Sequence, residues 1–92
     1  MIPNPGLRDF MLDLAESEKI PYQVLVRDAG GTDAGQIHLH GHGVPTIVLA
    51  VPVRYAHSPT GLIHTDDYDN TLALVEAAVM RLDAAIVAGF VA

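Results

Sequence analysis

The chain has no cysteine, which excludes disulfide frameworks and thiolate metal sites, so any metal ligand has to be His, Asp or Glu. It is also poor in positive charge. Five Lys and Arg residues against eleven Asp and Glu leave a formal charge of -6, without the basic footprint that nucleic acid or an anionic membrane surface requires. Long apolar runs are missing as well. The longest, Thr46 to Val53, is far too short to span a bilayer, and the N-terminal MIPNPGLRDF has neither the basic nor the apolar region of a secretion signal. A soluble cytoplasmic protein with no nucleic-acid and no membrane partner is the expectation.

What is present is 92 residues, half of them hydrophobic, which make one small domain over residues 1–92, near the size where burial is only just sufficient. Asn4 followed by Pro5 is an N-cap with proline at the first helical position, and Leu7, Phe10, Met11 and Leu14 fall on one helical face. Pro21 is expected to stop that helix. Tyr22 to Arg27 alternates like a strand with one buried side and ends in Asp28-Ala29-Gly30-Gly31. Asp33 with Gln36 three residues later fits a capping box for a short helix from Ala34 to about His40, closed by Gly41 and Gly43.

Thr46 to Val51 is a continuous β-branched and aliphatic run, the pattern of a central strand covered on both faces. Pro52 to Thr60 is a loop at its C-terminal end, where open α/β sheets place their sites, and Gly61 to His64 adds a short extended piece. Thr65-Asp66-Asp67 supplies a cap and an acidic first turn. A helix of roughly twenty residues, about 30 Å long, then carries a seam of Leu72, Val75, Val79, Leu82 and Ile86, with Gly89 as its C-cap. The order is α-β-α-β-(short β)-α, an α/β layered arrangement. Two or three strands make a narrow sheet for helices this apolar, so the chain expects more sheet than it contains.

Four of the five histidines lie between Gly30 and Pro59. His38, His40 and His42 would share one side on a strand and form a three-imidazole zinc or nickel site. On a helix only His38 and His42 share a face. The capping signal and the glycines favour the helix and a solvent-facing role. Asp66, Asp67 and Asp69 are helix N-terminal charges and not a carboxylate dyad. Asp33 reads equally as a helix cap and as a site residue, and Arg54 either pairs with an acidic group or makes a surface ion pair worth little.

The segments IPNP-LRDF, GGTDAG-IHL, GVPT and RY-HSP, in this order, closely resemble the C-terminal end of the glutamyl and deblocking aminopeptidases. These dinuclear-metal peptidases build tetrahedral twelve-subunit particles, and some are labelled endoglucanase or fructose-operon protein. The resemblance covers nearly the whole chain. It implies a fragment of a mixed-sheet α/β/α zinc-peptidase catalytic domain, with peptide as substrate, two zinc or cobalt ions as cofactors and a homo-oligomer as the assembled state. It maps one metal ligand onto His57. Arg54 and the turn Gly31, Thr32 and Asp33 resemble substrate-side elements.

The family's other ligands and its general base lie upstream of the point matched by Met1, so no catalytic residue is assigned here. The isolated chain is expected to be inactive, as a C-terminal portion of the catalytic domain. Two other readings stand beside this one: a non-catalytic oligomeric assembly module, and a small metal-binding protein using His38, His40 and His42.

Overall fold

The computed structural model describes residues 2–25 and 33–90. Four helices follow in chain order: α1 (Pro5–Ser17), α2 (Ala34–Ile37), α3 (Thr65–Arg81) and α4 (Ala84–Phe90). The N-terminus of α1 forms as the sequence predicts. Asn4 holds an extended backbone and its Oδ1 accepts the Leu7 N–H at 3.0 Å, satisfying one of the orphan donors of the first turn. Its Nδ2 donates to the Phe90 carbonyl at 2.9 Å, so a single side chain caps α1 and fastens the end of α4 to it.

Helix α1 ends at Ser17, well before Pro21 could act on it. Lys19 adopts φ 56°, its N–H donates to Glu16 O at 3.2 Å, and the Ile20 N–H reaches back to Ala15 O at 2.9 Å. These paired 5→2 and 6→1 bonds are a Schellman motif with lysine at the left-handed position. Ile20 follows by packing on the core. The expectation that Pro21 stops the helix is thereby corrected.

Leu7, Met11, Leu14 and Ala15 of α1 are buried against Leu74 and Ala78 of α3, with Phe10, Ile20, Ile47, Ala77, Leu82 and Phe90 packed around them. Phe10 and Phe90 meet edge to face with centroids 5.9 Å apart. Gly6 permits that closeness: a Cβ there would lie 3.0 Å from Phe90 Cδ1 and 3.3 Å from Phe90 Cα. The predicted seam of α3 is not the buried one. Leu72, Val75 and Val79 are exposed, while Leu74 and Ala78 face α1.

The single long helix expected from Thr65 onward is two. Leu82 turns extended (ψ 132°), and the Asp83 carboxylate accepts the Ile86 N–H at 2.8 Å as the cap of α4, so Gly89 lies inside a helix instead of ending one. His64, and not Thr65, caps α3: its Nδ1 accepts the Asp66 N–H at 3.1 Å. The ends of α1 and α3 are linked by Arg81 Nη2 and Glu18 Oε1 at 2.8 Å. Both side chains are about half exposed, so this pair contributes little.

The mixed sheet is not formed among the described residues, where the one β pairing is an isolated antiparallel bridge between Arg54 and Leu62. Residues 22–25 and 46–51 run without a ladder, and Val24, Leu25, Val48 and Leu49 are exposed. Strand backbone needs a neighbouring strand to satisfy its N–H and C=O groups, and neither segment has one here. The rest of the first expected strand, 26–27, lies outside the described residues. The Cα radius of gyration of 14.4 Å exceeds the roughly 12 Å of a compact chain this long, in keeping with the open faces.

Candidate functional site

The loop that follows residues 46–51 is closed by the Arg54–Leu62 bridge, whose two N–H groups donate to the opposite carbonyls at 2.8 and 3.1 Å. Between these posts the chain makes a tight excursion. Tyr55 and His57 both take φ 63°, the left-handed region that costs an L residue roughly 1–2 kcal/mol. Ser58 holds the turn: its N–H donates to Tyr55 O at 3.3 Å, and its Oγ lies 2.5 Å from Tyr55 O and 2.8 Å from Thr60 O, donating its one proton to either. The whole loop is exposed, and the His57 imidazole is presented to solvent.

Arg54 stands three residues before His57 at the base of the same loop. Its guanidinium makes no ion pair among the described residues. Asp33 is exposed at the start of α2. It has helical backbone angles (φ -58°, ψ -24°) and makes no side-chain capping hydrogen bond, so the expected capping box is not formed. Gly31 and Thr32 lie outside the described residues.

The histidines group as the helix reading has it, His38 with His42 and apart from His40, but through a glycine reversal and not a continuous helix. Helix α2 stops at Ile37 and the chain reverses through Gly41 (φ 59°) and Gly43 (φ 100°), with the Val44 N–H donating to His38 O at 3.1 Å. His38 and His42 are brought to one shallow cavity, which His40 does not line. The three imidazoles do not line one cavity together among the described residues. Among the described residues no group of three or more His, Asp or Glu side chains converges as a metal site.

Two supporting roles went unread in the sequence, the His64 cap and the Ser58 clasp. A histidine immediately before Thr-Asp-Asp gives no conventional cap signal. Ser58 is visible only as a polar residue before Pro59, and its partners are carbonyls that the turn itself creates.

The described fold matches one part of solved aminopeptidases. It superposes on the TET aminopeptidase from a marine sediment archaeon of the Thaumarchaeota with a TM-score of 0.95 at 41% identity, over 98% of this chain and 25% of that one. An aminopeptidase from the archaeon Desulfurococcus kamchatkensis gives a TM-score of 0.93 at 31% identity, with the same coverage. The profile of the M42 glutamyl aminopeptidase family matches residues 1–74. The chain belongs to the M42 glutamyl aminopeptidase family. Among its M42 relatives are the lysyl aminopeptidase of Pyrococcus furiosus (40% identical over 80 residues, 86% of this chain) and the glutamyl aminopeptidase of Lactococcus lactis (37% over 79 residues, 86% of this chain). This M42 chain spans about a quarter of the length of such relatives, 23% and 22% of those two. No described helix is long and apolar enough to cross a membrane.

Proposed function

We propose that the chain is a C-terminal portion of a metal-dependent aminopeptidase catalytic domain that removes N-terminal residues from peptides, and that His57 is one ligand of a pair of zinc or cobalt ions. The observation that carries this is the backbone at His57. Left-handed conformation at a non-glycine residue, in an exposed loop closed by a bridge and clasped by Ser58, is strain of the kind that persists where function holds it. The donor chemistry fits, since a neutral imidazole suits either ion. The donor number does not suffice, because zinc takes three or four protein ligands and this loop offers one. When bound, the metal pair supplies the Lewis acidity and the lowered water pKa that amide hydrolysis requires at neutral pH.

The remaining assignments extend the same reading. Arg54, Gly31, Thr32 and Asp33 serve the substrate side of the site, and the guanidinium suits a carboxylate. In the whole α/β/α domain, residues 22–25 and 46–51 pair with strands that its other residues supply, which accounts for their exposed apolar side chains here. The cytoplasm is the setting, and a homo-oligomer the assembled state. The chain alone is inactive.

A chimera tests the assignment. Residues 1–92 replace the matching quarter of the Thaumarchaeota enzyme, and metal content is measured beside peptide turnover. His57→Ala in the chimera is expected to lower bound metal from two ions toward one and turnover by about a hundredfold or more. Full metal content in that variant would overturn the assignment of His57. The unfused chain with added zinc or cobalt is expected to show no turnover, and an ordinary enzymatic rate there would refute its inactivity.

A further inference from the structure

We infer that His38 and His42 form a second, two-imidazole site for a borderline divalent transition-metal ion such as zinc, nickel or copper. Three observations carry it, none involving His57. The reversal through Gly41 and Gly43, closed by the Val44 N–H on His38 O, returns His42 to the cavity that His38 lines. The Ala34 carbonyl, which can only accept, lies 3.1 Å from His38 Nδ1, so Nδ1 carries a proton and in the neutral ring the lone pair is on Nε2. A metal-ligating histidine typically donates its other ring N–H to a carbonyl or carboxylate in this way, which fixes the ring and raises the basicity of the ligating nitrogen.

The third observation is room. The cavity measures about 270 Å³, several times the roughly 30 Å³ share of one water, so an ion bound by two imidazoles can keep water in its other positions. Asn4 also lines the cavity, where its Oδ1 already accepts the Leu7 N–H and its Nδ2 donates to Phe90 O. Imidazole nitrogens without a carboxylate select zinc, nickel and copper over magnesium and calcium, which prefer oxygen. Two protein ligands make the site weak, and copper the tightest of the three.

Equilibrium dialysis of the metal-free 92-residue chain against zinc or nickel, in a non-chelating buffer near neutral pH, provides the test. One ion per chain is expected. His42→Ala should weaken binding by about tenfold, equivalent to 1.4 kcal/mol. His40→Ala and His57→Ala should each leave it within about twofold. In parallel, zinc added to the wild-type chain should move the imidazole nitrogen resonances of His38 and His42 together and leave those of His40 in place. That readout needs no variant to fold. Unchanged affinity in His42→Ala, loss on changing His40 or His57 instead, or no binding by wild type would each overturn the proposal.

Discussion

Replacing His57 by glycine should stabilise the 92-residue chain. At φ 63° the His57 backbone pays the left-handed penalty of roughly 1–2 kcal/mol, which glycine avoids. Against this, glycine enlarges the conformational freedom of the unfolded chain by about 0.4–1 kcal/mol. The His57 side chain is exposed and makes no hydrogen bond among the described residues, so little contact energy is lost with it. The net gain lies in the range of about 0–1.6 kcal/mol, and its midpoint of about 0.8 kcal/mol corresponds to an upward shift in Tm of about 3–6 °C for a domain of this size. Urea unfolding monitored by circular dichroism measures it. His57→Ala is the control, since alanine keeps the Cβ and therefore the strain. If the glycine variant is no more stable than the alanine variant, the loop is not strained at this residue, and the argument that function holds it there fails. In the chimera the two variants should be equally deficient in metal, so stability and metal retention separate.

Two further outcomes follow from the fold. Asn4→Ala should cost about 2 kcal/mol by removing both the α1 cap and the bond to Phe90 O. Asn4→Asp keeps the cap acceptor and loses only the bond to Phe90 O, so it should cost about half as much; no loss in urea unfolding of Asn4→Asp would show that the Phe90 bond contributes nothing, and a loss equal to that of Asn4→Ala would show the same of the cap. The Tyr22 hydroxyl donates to Glu16 Oε1 at 2.7 Å, and this bond, then partial desolvation and the negative charges of Glu16 and Asp13, hold its pKa above the ordinary phenol value. A raised folded-state pKa favours the protonated native form, so this contribution is present below the ordinary value near 10 and is lost as pH rises through the folded one. Glu16→Gln should bring the last tyrosinate absorbance transition to lower pH, and no movement would refute the coupling.

Features set within one or two helical turns were legible in the sequence. The Asn4-Pro5 start of α1 and its Leu7, Met11, Leu14 face depend on spacing and local hydrogen bonds alone, and both appear as expected. The face of α3 was not legible. That helix is rich in alanine and carries apolar residues on several sides, so periodicity selects Leu72, Val75 and Val79 as readily as Leu74 and Ala78. The break at Leu82 was missed because the apolar pattern runs through it, although Asp83 is a good cap residue. The capping box at Asp33 failed for a related reason: a cap needs an extended backbone, and Asp33 is already helical.

The sequence by itself determined which chemistry is open to this protein. It excluded thiolates, pointed to the Arg54–Pro59 loop through its likeness to the aminopeptidases, and set α1 and the turn glycines, because those depend on residue type and near neighbours. Tertiary structure decided what depends on distant partners. It put Leu74 and Ala78 against α1 and tied Phe90 to Asn4. Two local turns also became visible only with their backbone, because the turn itself creates the hydrogen-bond partners: the reversal that leaves His38 and His42 on one cavity, and the Ser58 clasp around left-handed His57. Residues 22–25 and 46–51 mark the same boundary from the other side, since their β-rich composition is local but a strand is completed only by the neighbour that accepts its hydrogen bonds.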